Sequence, residues 1–192
     1  MSDMKAIATP RSTDSIRHMA HVIRDAVGYR DLAKIHAEHL LEVALPTVMP
    51  NFIYDIRTAK EMAGADGYAA PDRDYIAIRE DVYFRARNGS GMDLFTVAHE
   101  LGHLILHQSE NMVLRRSASP PAIFAQPEWQ ADTFAAEFLM DLRKIRPDDD
   151  ATMIQRRFSV SVTAARRRIK FLQKTGLLEE VYGPRRISHL DP

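Results

Sequence analysis

The sequence predicts an α+β fold, mostly helical, with a small, mainly antiparallel sheet and a C-terminal helical extension. Three observations predict it. Apolar residues recur at helical spacing through most of the 192-residue chain. Strand-like alternation is confined to short stretches between Phe52 and Glu80. Pro147 and the acidic run Asp148–Asp150 then set apart a basic helical end.

The elements follow in order. Residues 1–13 read as a flexible tail. Asp14 to about Val27 reads as a helix, with Ile16, Met19, Ala20, Ile23 and Val27 on one face. A second helix is expected over Asp31–Leu45, ended by Pro46. Phe52–Arg57 alternates as a strand does. Gly67–Ala70 and Tyr75–Glu80 flank Pro71-Asp72-Arg73-Asp74 and predict a hairpin. A loop at Asn88–Gly91 feeds a strongly apolar helix, for which Ser90 and Asp93 offer a capping start. Ser109–Gln126 shows little periodicity and reads as a loop. Pro127 opens the next helix at its first position, where a missing N–H costs nothing. The organisation expected is a tail at 1–13, a main domain at 14–146 and a helical extension at 147–192.

Composition narrows the function. There is no cysteine, which excludes a disulfide scaffold, a thiol nucleophile and a thiolate-ligated metal. No stretch is apolar enough to span a membrane and no secretory leader is visible, so a cytoplasmic protein is expected. Net charge is zero, yet from Arg143 onward there are 12 basic and 6 acidic residues. Such asymmetry suits an acidic partner or nucleic acid.

The chemistry concentrates at His99-Glu100-Leu101-Gly102-His103. Residues four apart share a helix face, about 6 Å apart along the axis. Two imidazoles at that spacing can hold one Zn²⁺, with the intervening glutamate reaching a water beside it. Histidines and a glutamate in so apolar a helix are costly unless they share a purpose. A third protein ligand is required. The metzincin continuation fails, since Leu106 and Ser109 stand where Gly and His are needed. His107 lies too far along a straight helix from His99 to share one ion, and reads as a supporting residue. Downstream, Glu128 precedes the apolar stripe Ala131, Phe134, Ala135, Phe138 and Leu139. Spacing alone leaves it open whether Glu128 binds metal or merely favours a helix N-terminus. Asp132 could accept a hydrogen bond from a ligating imidazole. Glu137 is expected to face solvent.

Together, His99–His107 and Glu128–Met140 resemble the ImmA/IrrE family of metallopeptidases, which typically show HELGHxxxH followed by E-x-E-A-N-x-F-A-A-x-L-L-M-P. The resemblance covers roughly residues 50–145. It implies a zincin-like, gluzincin-like fold, one Zn²⁺ per chain on His99, His103 and Glu128, Glu100 as catalytic base, and Asp132 as a support to the ligands. Gln130, Asp132 and Asp141 depart from the family pattern without touching the implied ligands.

The segment Phe158–Ile169 is similar to the helix-turn-helix-like end common in that family. Its residues Arg166, Arg167, Arg168 and Lys170 are expected to face largely outward. They could touch nucleic acid or an acidic partner, or form only a solvated basic face; DNA binding is the less favoured reading. The resemblance implies a zinc-dependent endopeptidase acting on a protein, a helix-turn-helix (Xre-like) repressor or antitoxin, and so relieving repression. The alternative is a non-proteolytic zinc-containing regulator or toxin that binds a repressor or DNA. Tyr68, Tyr75 and Tyr83 are candidate donors to a transition-state oxyanion.

Overall fold

A computed structural model describes residues 4–108, 112–116 and 121–183. The fold is mostly helical α+β. Helix α1 (Thr13–Ala26) starts where the Ser12 side chain accepts a hydrogen bond from Ser15 N–H at 3.1 Å. It buries Ile16 and Ala20, as its periodicity predicts. The second helical region begins later than expected and passes through Pro46. It comprises α2 (Ala37–His39), a π-helical turn (Leu40–Ala44) and α3 (Leu45–Val48). Proline removes one backbone donor, and the widened turn just before it fits that loss without ending the helix.

Strands β2 (Ile53–Arg57), β3 (Gly67–Ala70) and β4 (Tyr75–Arg79) form a sheet in the order β2-β4-β3. The β3–β4 hairpin is antiparallel, as expected, whereas β2 runs parallel to β4. The tight turn places Asp74 at φ 47°, a conformation that aspartate tolerates better than most residues. Glu80, read as the end of a strand, instead opens a short helix, α4 (Glu80–Arg87).

Helix α5 (Gly91–Leu106) is the centre of the molecule. It lies between the sheet and α6 (Pro127–Leu139), and α1 packs behind α6. Ser90 caps α5 by accepting from Asp93 N–H, and its hydroxyl also donates to the Asp93 carboxylate. Leu94, Val97, Ala98, Leu101 and Leu104 are buried, so this helix is apolar because it is central.

Two regions differ from the sequence expectation. The tail assigned to residues 1–13 contains β1 (Met4–Ala8), which pairs antiparallel with β5 (Met112–Arg116). The long loop expected over Ser109–Gln126 supplies that partner strand. Neither strand was legible alone, because each depends on a partner about a hundred residues away. The parts of that loop at 109–111 and 117–120, like residues 1–3 and 184–192, lie outside the described residues.

The extension consists of α7 (Ala151–Phe158), α8 (Val162–Thr175) and α9 (Leu177–Tyr182). Asp150 caps α7 and Ser161 caps α8. Ile154, Phe158, Val160, Ala165 and Leu172 join the same hydrophobic core as the helices before Pro147. The extension is therefore packed onto the main body through shared apolar burial.

Candidate metal centre

Helices α5 and α6 bring the motif histidines and the downstream acids together. Their approach is close because Gly102 has no side chain: a Cβ there would lie 3.0 Å from the Cα of Ala131. His99 and His103 project from one face of α5, and Glu128 reaches them from the first turn of α6. The Nε2 atoms of His99 and His103 are 3.0 Å apart. Glu128 Oε2 lies 3.3 Å from His99 Nε2, and its Oε1 lies 3.4 Å from His103 Nε2. Donors about 2.0–2.1 Å from a tetrahedral Zn²⁺ stand roughly 3.3 Å from one another. The three side chains therefore have the spacing of three corners around one such ion, and they form a group that could hold a metal.

Hydrogen bonding sharpens that fit. His99 Nδ1 lies 2.9 Å from Asp132 Oδ1, and a carboxylate can only accept, so Nδ1 carries the proton. On the other side, Gln130 is fully buried and its amide nitrogen donates to Thr9 C=O at 2.9 Å and Phe124 C=O at 2.7 Å. Its oxygen must then face His107, whose Nε2 is 3.1 Å away and so is the donor. His107 Nδ1 is left to accept, and it lies 2.9 Å from His103 Nδ1. The chain Gln130–His107–His103 thus assigns the His103 proton to Nδ1. With both rings neutral, the two facing Nε2 atoms keep their lone pairs, an arrangement that a cation between them and the Glu128 carboxylate would satisfy.

Charge states of the metal-free site follow from burial. Burial lowers His103 and His107 to about 4. It acts the same way on His99, but the Asp132 hydrogen bond and the neighbouring carboxylates outweigh it and raise that ring above its ordinary value. Glu100 is buried, and desolvation pushes its carboxyl up to about 7, with the Glu128 charge adding to the rise and His99 opposing it. A group poised near neutrality suits proton transfer.

The sequence singled out Glu100 but not what positions it. Gly67 on β3 sits against it: a Cβ at Gly67 would lie 2.6 Å from Glu100 Cγ and 2.8 Å from Oε1. The edge strand thus leaves room for the carboxylate only because residue 67 is glycine. Gln130 was visible only as a departure from the family pattern, and its role needed the fold of residues around Thr9 and Phe124.

Other expectations resolve differently. The three tyrosines lie away from the centre. Tyr83 donates to Glu42 and Tyr75 donates to Asp55 at 2.9 Å. Tyr68 lines a separate cavity with Arg57 and Tyr75 on the outer side of the sheet. Glu137, expected in solvent, is fully buried. It accepts a two-pronged contact from Arg168, with both N···O distances at 2.6 Å, and a third from Arg17 at 3.2 Å. Arg168 is correspondingly withdrawn from any outward basic face and buried against the carboxylate it neutralises. Arg166 and Arg167 remain exposed. Among the described residues, no helix is long and apolar enough to cross a membrane.

The family profile of the IrrE N-terminal-like domain, peptidase M78, matches residues 54–170. That span contains β3, the motif helix, α6 and most of α8, and it crosses the boundary expected at 146/147. Neither a search of curated proteins nor one of solved structures returned a match.

Proposed function

This chain belongs to the IrrE N-terminal-like peptidase family, M78, and we propose that it is a zinc-dependent endopeptidase that cleaves a helix-turn-helix repressor or antitoxin. The observation that carries the peptidase reading is the converging pair of lone pairs on His99 and His103, 3.0 Å apart, closed by the Glu128 carboxylate. The nitrogen and carboxylate donor set suits Zn²⁺, and three protein ligands leave a fourth position for chemistry.

In this reading a zinc ion on His99, His103 and Glu128 supplies Lewis acidity toward a water molecule and the scissile carbonyl. The residues of the chain do the rest. Glu100 takes a proton from the attacking water and passes it to the leaving amine nitrogen. Its raised proton affinity supports both halves of that task. Asp132 holds the His99 ring and the His107–Gln130 pair holds the His103 ring, each keeping Nε2 free. The repressor as substrate rests on the family resemblance; Arg166 and Arg167 offer it an exposed basic surface.

Zinc content and cleavage, measured together, test the proposal. Purified protein is expected to hold about one zinc per chain and to cut a repressor encoded beside its gene at a defined bond. Glu100→Gln should keep the metal and lose the cleavage. A wild-type protein that takes up no zinc, or a Glu100→Gln protein that cuts as fast as wild type, overturns it. Tight binding of the repressor without cleavage would favour sequestration instead.

A further inference from the structure

A groove of about 650 Å³ runs away from the metal centre between α5, α6 and α8. The helix faces that carry the ligands continue straight into it. On α5 the four-residue stripe of His103 and His99 goes on to Phe95, which lines the groove with Met92. On α6 the stripe of Glu128 and Asp132 goes on to Ala136 and Met140. Asp132 belongs to both, since it holds His99 and also forms the near wall. Trp129, the residue after Glu128, stands at the same end. From the level of His99 to Met92 the groove extends roughly 10 Å along the helix axis.

We propose that this groove is the pocket that receives a large apolar side chain of the substrate beside the scissile bond. The inference rests on the peptidase reading above and adds the substrate's chemistry to it. A peptide advances about 3.3–3.6 Å per residue, so a residue next to a carbonyl held at the metal places its side chain within this reach. Its walls are Phe95, Trp129, Ala136, Met140, Ala164 and Phe171, which match an aromatic or long aliphatic group. The charges at its edge balance and do not call for a charged one, with Asp132 at the near wall and Arg167 at the far one. Glu137 is already neutralised by Arg168, while Arg167 is exposed on the α8 wall and forms no ion pair among the described residues. Met92 is 67 % exposed at the rim, an apolar surface that an occupant would cover. The assignment also gives α8 a task, that of the far wall of a specificity pocket.

Trp129 is the chain's single tryptophan, so its emission reports on the groove directly. The zinc-loaded protein would be titrated with two hydroxamates that carry a benzyl group on opposite sides of the metal-binding unit, N-acetyl-phenylalanine hydroxamate and 2-benzylsuccinyl hydroxamate. Each is compared with its ring-free counterpart. One benzyl compound is expected to bind about tenfold or more tighter than its counterpart and to shift Trp129 emission. Ala164→Phe, which fills the far wall, should abolish that advantage and leave the ring-free compounds unchanged. Equal affinity with and without the ring for both pairs overturns the proposal. So does an advantage that survives in an Ala164→Phe protein with an unaltered circular dichroism spectrum. If no hydroxamate binds even without a ring, and no zinc is taken up, the metal reading itself has failed, and the pocket assignment falls with it.

Discussion

Helix α6 carries two acids in opposite situations. Glu137 is buried and fully answered: two nitrogens of Arg168 and one of Arg17 meet its oxygens. Glu128 has a side chain 76 % exposed and stands against two imidazole nitrogens whose protons are committed elsewhere. A buried carboxylate without partners would cost several kcal/mol, so burial forces Glu137 to bring its counter-charge with it. Glu128 has no such closure: its neighbours are two imidazole nitrogens and solvent. The contrast separates a carboxylate that holds the fold from one that is free to serve a ligand.

Exchanging the two acids for alanine is the hardest test of that contrast. Glu137→Ala leaves Arg168 buried without its partner and should destabilise the protein by about 3–5 kcal/mol, read as a fall in the denaturation midpoint. Glu128→Ala should leave the midpoint of the metal-free protein nearly unchanged and abolish tight zinc binding. Equal stability losses for the two variants would erase the distinction.

A second pair of residues sharpens it within the site. Gly67→Ala forces the Glu100 carboxyl to move, and a displacement of about 1 Å in a reacting group can cost on the order of a hundredfold in rate. Zinc affinity should stay as it is, since no donor moves. Gln130→Leu should do the reverse. It removes the acceptor that orders His107 and hence His103, and is expected to weaken zinc binding about 10–100-fold. Nitrogen chemical shifts of His103 would show the loss of its single tautomer, which a merely destabilised core would not produce. If Gln130→Leu binds zinc as wild type does, the relay has no bearing on the metal.

Much of this was legible in the sequence, and the part that was not has a common cause. The α1, α5 and α6 helices, the hairpin and the shared helix face of His99 and His103 follow from periodicity, caps and four-residue spacing, all of them local signals, whereas Glu128 as a third ligand came only with the family resemblance. What escaped depended on distant partners. The strand β1 exists because β5 lies beside it. Glu137 is interior because Arg168, 31 residues away, packs over it. Pro46 reads as a helix stop, yet it sits in the first turn of α3, directly after a π turn, and the helical path continues. Gln130 reads as a plain substitution until Thr9 and Phe124 are seen to occupy its amide protons. Charged residues at helical spacing mark a face without saying what faces it.

Acidity gives the mildest test, because it acts on both halves of the site at once. His103 and His107 have folded values near 4, against an ordinary value of 6.5. As pH falls from about 6.5 to 4, the unfolded chain takes up protons that the folded one refuses, so these groups remove stability on acidification. Glu100 works the other way: raised to about 7 from 4.5, it holds a proton in the folded state that the unfolded chain has released, and stability falls as pH rises through that window. His99, also raised, adds to that fall only above about 6.5. Two histidines outweigh one glutamate, so between pH 4.5 and 6.5 the metal-free protein should become more stable as pH rises. His107→Gln should flatten that slope by about one proton. Denaturation midpoints of chelator-treated protein across this range would check both, and a wild-type slope that is flat or reversed would mean that the His103–His107 pair is not held neutral by its burial.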